Sequence, residues 1–447
     1  MRNVHAPSAL AALALLAVGM LPTQSCAPSA VGLPDLPQAW RQPAAPARPE
    51  PCVDVATGAA LQPLLQNAVP GTAFCLASGV YAAPILIPSG VTVWGTRDAV
   101  LHSSGTGTTV RLSGDHAALL GLTVDGSGTR YDLEEGAVAL EGRDLRVEGV
   151  RIHSALFGIA VAKSERVVLR GNVVEGTDQI QLGMRGDAIR LWETRFSRVE
   201  DNLVIHSRDL VVWYSSDNVL TGNEVRDSRY GTHLMYSHRN RLERNRYLGN
   251  VVGVFLMYSR DVRLLHNLLA GSAGAAGMGL GVKESSTVVA EGNAFVKDAV
   301  GVYLDNSPFE PGTTNEFSGN ALRLCDVGVL LQSGVHGNRF LGNSLRGNGT
   351  QVRVEGAGNA LANLFQGNDW DDYQGYDVDG DGRGDVPYEL RNLSDHLASR
   401  RPEIDLLHGS PALFLVNAAS RLMPLYASPA LVVDASPALS NEASNAH

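Results

Sequence analysis

No basic run of the kind that tracks phosphates occurs in this chain, and charged residues of both signs make up only 18% of it. The formal charge is −10. A general nucleic-acid or anionic-membrane surface is thereby excluded, and no nucleic acid is expected as a partner. Long apolar stretches are missing too: the one near the start, Ala9 to Leu21, is too short to span a bilayer comfortably. Cysteine is scarce, four in 447 residues, so at most two disulfides can form. What the chain has in quantity is glycine, 48 residues. That suits many tight turns between short strands and argues against long surface helices.

The opening apolar stretch follows a short positive start and reads as a secretory signal over residues 1–25. It ends at Cys26, a lipidation candidate, although Thr23 and Gln24 depart from the small-residue pattern such cleavage favours. Export permits disulfides. Cys52 and Cys75 flank a capping segment and are the expected pair, which leaves Cys325 as a buried thiol or a metal ligand. Residues 26–51, including "RQPAAPARPEP", are Pro/Ala-rich and read as a tether without a core of its own. "GAALQPLLQNAVPGTAFCL" then carries helical apolar spacing and predicts a short capping helix.

Periodicity decides the fold. Asparagine closes a recurring turn at Asn172, Asn202, Asn223, Asn245, Asn267, Asn293, Asn320, Asn343 and Asn368, at intervals of 21 to 30 residues. In the 15-residue blocks that end there, positions two and four are aliphatic, as in Ile189/Leu191, Leu210/Val212 and Val254/Leu256. Alternation with period two is a strand with one face buried. Three short strands per repeat with no helix between them predict an all-β fold, a single-stranded right-handed parallel β-helix of about ten coils. This pectin-lyase-like solenoid, with its N-terminal cap, is expected over residues 52–368. Equivalent side chains then stack at strand spacing, and the asparagines form a ladder.

Positions three and five point outward. Position five reads Ala162, Trp192, Trp213, Met235, Met257, Lys283, Asp305; position three reads Arg190, Val211, His233, Phe255, Gly281, Tyr303. "LMYS" is written twice, 22 residues apart, so Met257 stacks over Met235, two residues from His233 on one face. An imidazole with two thioethers is a soft set suited to Cu(I). The alternative is that Met and Trp only pack beneath a folded-back segment.

Residues 369–390 hold "DVDGDGRGD": Asp377, Asp379, Asp381 and Asp385 with Gly382 match the first part of a calcium loop. Position 12 is Tyr388, so a full helix–loop–helix site is not supported. A solvated acidic turn is the alternative. Residues 391–434 turn to helical spacing, clearest from Leu413 to Leu422, and read as a tail that docks another protein or covers the last coil. Residues 435–447 are expected to be a disordered end.

Catalysis on such a solenoid would need flanking carboxylates or a base with cations. Asp371-Asp372 lies in the terminal loop and Glu134-Glu135 precedes the clear repeats. Asp187, Arg190 and Asp209 could make a small polar patch, yet no repeated column of Asp, His and Lys/Arg appears. The chain is therefore read as no enzyme. Trp192 and Trp213 keep open the alternative of a polysaccharide-binding or -processing β-helix.

"GDAIRLW", the "LMYS" pair, the serial "GN" turns, "NDWDDYQGYDVDGDGRGDVPY" and "SPALFLVNAASRLMPLY" together resemble the NosD-type periplasmic copper-binding maturation proteins of nitrous oxide reductase. The resemblance runs from roughly Ala56 to Asp434. It implies a right-handed β-helix with a non-enzymatic role, partnered by the membrane and ATPase subunits of a copper-related ABC transporter. The tail from Ser410 onward would dock there. It further implies copper received from a membrane-linked chaperone and passed toward nitrous oxide reductase, in the periplasm. A lipid anchor at Cys26 would depart from that pattern. Placing the copper on His233, Met235 and Met257 comes from the stacking alone.

Overall fold

The computed structural model describes residues 34–356, 358–391, 410, 412, 415 and 429–439. Among the described residues, the short strands of successive coils line up in three sheets, of 12, 16 and 13 strands, here called front, back and side. In one coil these are Tyr230–Met235, Arg241–Glu243 and Arg246–Leu248. Strand pairs run parallel from coil to coil; among the described residues the single antiparallel pair is Tyr388–Leu390 with Val432–Asp434. This is the parallel β-helix expected from the repeats. The front sheet has twelve strands, more than the expected ten or so. The early coils escape an asparagine count because Leu122 and Val150, both fully buried, stand where later coils carry asparagine.

Alternation fills the interior: Ile189, Leu191, Leu210, Val212, Leu234, Val254 and Leu256 are all at most 1% exposed. At the turns, each ladder asparagine donates Nδ2 to Oδ1 of its neighbour one coil on, at 2.9–3.1 Å from Asn172 to Asn368. The same Oδ1 also accepts a backbone N–H, as between Asn223 and Asn245 at 2.9 Å. No polar atom of the buried amide is left without a partner, which is what makes its burial tolerable. Asp434 ends the ladder, accepting from the Asn368 side chain at 2.9 Å and backbone at 2.9 Å, and from Trp370 Nε1 at 3.2 Å. Phe317, Phe340 and Phe365 stack inside at 4.9 and 4.6 Å toward this closed end.

The helix Leu61–Gln66 covers the first coil with Leu61 and Leu65 buried, and Cys52 is bonded to Cys75. Residues 34–51, expected as a tether, contain no helix or strand but do not hang free. They form a strap along the solenoid: Asp35 pairs with Arg244 at 3.0 Å, Trp40 Nε1 donates to Asp201 O at 2.7 Å, and Pro46 O accepts from Trp94 at 3.0 Å. Gly149, at φ 64°, leaves room for it; a Cβ there would lie 2.6 Å from Pro46.

The far end needs a correction. Val432–Asp434 is a strand, not tail helix, and Ala438 bridges to Asp369 and Arg383, so the end is ordered through residue 439. The chain returns more than 60 residues after Asn368 to complete the ladder, an interval no repeat spacing could reveal. Ala412 and Leu415 are helical and exposed; the rest of the expected helix Leu413 to Leu422, the secretory segment, Cys26 and residues 440–447 lie outside the described residues. No helix among the described residues is long and apolar enough to cross a membrane.

Candidate functional site

The doubled "LMYS" assigns each residue a separate task. Leu234 and Leu256 enter the core. Met235 and Met257 are register partners on the outer face, half-buried, with Trp213 below and Lys283 above in the same column. Tyr236 and Tyr258 take the left-handed corner, φ 50° in both, and their rings stack at 4.8 Å. Ser237 and Ser259 join a hydroxyl ladder running from Ser215 to Ser307, each Oγ accepting a backbone N–H at 3.1 Å. The outer columns therefore follow the order expected from the repeats.

His233 is more covered than an outward position suggests, at 7% exposure, and Val211 beneath it is fully buried. Large neighbours close over the column. Tyr230 stacks on the imidazole at 4.8 Å, Trp213 meets it edge-on at 5.6 Å, and Phe255 lies 6.1 Å away. Phe255 in turn folds across Gly281, where a Cβ would lie 2.2 Å from the ring. His233 Nε2 is 3.4 Å from Met257 Sδ, and Nδ1 accepts from Trp213 Nε1 at 3.3 Å. Burial lowers the imidazole's pKa to about 4, so in neutral solution the ring is uncharged, with one nitrogen bare and the other carrying a hydrogen. One nitrogen and one thioether are thus within reach of a single soft ion, with Met235 on the adjoining rung.

Beside this set lies an ion network that spacing alone did not connect. Arg229 grips the buried Asp209 through two N–H groups, at 3.0 and 2.5 Å, and its guanidinium lies 4.9 Å from the Tyr230 ring centre. Arg208 pairs with Asp187 at 2.7 Å, both Asp side chains having no exposure. Arg190 pairs with Glu134 and lies over Trp192 and Trp213 at 5.0 and 5.4 Å. The tyrosines at position six are legible in "WYSS", "MYSH" and "MYSR", and Arg190 in its outward column; the anchors Arg208 and Arg229 are not, since they come from turns outside the aligned blocks.

In the acidic loop, Asp377, Asp379 and Asp385 bring ligand oxygens within 4.8 Å of one another. Asp381, expected with them, is not of this group; its carboxylate accepts Arg383 N at 2.8 Å instead. Asp377 is already engaged by the backbone of Gly380 and Gly382 at 2.6 and 2.8 Å. Cys325 is a buried thiol with its pKa pushed up to about 12 by burial, beside the carbonyl of Arg323 at 3.6 Å.

A family model described as periplasmic copper-binding protein (NosD) matches residues 175–375. Those residues hold every member of the His233 set and most of the asparagine ladder. The chain is 30% identical over 418 residues to a "Probable ABC transporter binding protein NosD" of Pseudomonas aeruginosa, spanning 79% of this chain and 85% of that one. A protein of the same name from Stutzerimonas stutzeri is 27% identical over 380 residues, 74% of this chain and 78% of the other. Among solved structures, the catalytic unit of a GH87 alpha-1,3-glucanase from Streptomyces thermodiastaticus superposes with a TM-score of 0.52 at 13% identity, over 75% of this chain and 71% of that one, a likeness of fold alone. Similarity along most of both chains, joined to the solenoid itself, shows that this chain belongs to the NosD family of periplasmic copper-binding proteins.

Proposed function

We propose that this protein is a periplasmic copper-handling assembly factor that holds Cu(I) in passing and, with an ABC transporter, helps to load nitrous oxide reductase. The observation that carries the reading is the 3.4 Å approach of His233 Nε2 to Met257 Sδ with Met235 in register beside it. Thioethers do not titrate and are soft, so they favour Cu(I) over the harder divalent ions and release it without waiting for a proton. A neutral, buried imidazole adds one stronger donor. Shielding by Tyr230, Trp213 and Phe255 limits water at the ion without sealing the two methionines.

Donation by a membrane-linked copper chaperone and docking on the transporter's membrane and ATPase subunits belong to the same reading. The exposed Leu415 of the tail offers that docking an apolar side chain. Calcium at Asp377, Asp379 and Asp385 would tie the loop to the closing strand, a structural task. A lipid on Cys26 would keep the protein near its partners. No catalytic step is assigned: the side chains of Asp187 and Asp209, two members of the polar patch expected from the sequence, have no exposure and are paired with Arg208 and Arg229.

The test is anaerobic Cu(I) titration against a competing chelator. Met235→Leu/Met257→Leu keeps the volume of both side chains and removes both sulfurs. It is expected to weaken binding at least about tenfold, the loss of roughly 1.4 kcal/mol. Identical titration of wild type and double variant would remove this site from the protein.

A further inference from the structure

Of the rings that shield the candidate site, Trp213 also donates a hydrogen bond to it. It stands one rung below Met235, and its indole Nε1–H donates to His233 Nδ1 at 3.3 Å. An indole N–H donates and has no acceptor capacity, so the ring nitrogen it meets must be the bare one. The imidazole proton is then on Nε2, the nitrogen that faces Met257 Sδ at 3.4 Å. In the metal-free protein the atom best placed to bind the ion is therefore carrying a hydrogen.

An ion held by Nε2 and the thioethers needs the Nε2 lone pair. One proton must leave Nε2 and one must settle on Nδ1, so the ring stays neutral and the proton count is unchanged. The new Nδ1–H then confronts the Trp213 N–H, donor against donor, and the indole has to turn away. The imidazole cannot relieve this by flipping, because Tyr230 stacks on its face at 4.8 Å and Phe255 stands at 6.1 Å. Arg190 lies over the indole ring, 5.4 Å from its centre. We propose that Trp213 is a positioning residue that keeps His233 in the tautomer opposed to metal binding, so that copper loading works against it and copper release is helped by it. The inference rests on the copper reading above. It supplies what a carrier needs and a storage site lacks, a donor set that relaxes to a stable, hydrogen-bonded state once emptied.

The test has two arms. In metal-free, 15N-labelled wild type, long-range imidazole spectra are expected to show His233 with its proton on Nε2; a proton on Nδ1 overturns the proposal. Trp213→Phe keeps a ring in the column and removes the donor. It is expected to abolish the tautomer bias, to bind Cu(I) about three- to tenfold more tightly, the worth of one hydrogen bond, and to yield it more slowly to a chelator. Unchanged or weaker affinity overturns the proposal, weaker binding making the indole a partner of the ion. The copper reading fails separately, on the methionine double variant, while the spectra of metal-free wild type test the tautomer without any metal.

Discussion

Asp298 stands in a turn column where Asn250 and Asn348 stand in other coils, and it does the same work with one atom. Its Oδ1 accepts Ser272 N–H at 2.8 Å, as Asn348 Oδ1 accepts Cys325 N–H at 2.9 Å. Its Oδ2 is buried without a partner. Burial pushes the carboxyl from 3.8 up to about 7. A folded value above the unfolded one means the native state holds the extra proton. The associated stability is full below about pH 4 and is lost as pH rises through 7. Asp298→Asn restores the amide and removes the titration. Its melting temperature is expected to match wild type at pH 4 and to exceed it by about 2 °C at pH 8. A difference that does not grow with pH would place the proton elsewhere.

Ladders, not single contacts, hold the elements in register. Asn245 donates to Leu220 O at 2.9 Å and to Asn267 Oδ1 at 3.1 Å, and its own Oδ1 takes the Asn223 backbone and side chain. Asn245→Ala strands several buried groups at once and is expected to cost about 3 kcal/mol in chemical denaturation. Tyr236→Ala, at an exposed corner of the same coil, should cost under about 1 kcal/mol. Equal costs would mean the ladder is ornamental. The difference explains what the sequence revealed: strand alternation and the asparagine interval repeat because each coil must satisfy identical geometry, so front-sheet columns could be read residue by residue. Asp434 closing the ladder and the strap at Trp40 each occur once and join distant segments. Nothing local in the chain marks them. His233 was legible as a column member, but its burial depends on the size of Tyr230 and Phe255 around it, which spacing does not report.

At the scale of the molecule, the walls of the solenoid differ in what they carry. The front sheet carries Trp192, Trp213, Met235 and Met257 in one continuous column. The strap crosses the turns between back and side sheets, from Arg244 and Asp201 to Gly171 and Trp94, and leaves the front sheet clear. Among the described residues, the strap does not lie over Met235 and Met257, which stay half-buried on the front sheet. The most direct test of the account is the first coordination shell of Cu(I) in the intact protein, by X-ray absorption. The account predicts two sulfur scatterers and one nitrogen, falling to nitrogen and oxygen alone in Met235→Leu/Met257→Leu; a sulfur-free shell in wild type, or a sulfur shell that survives the double variant, would contradict it.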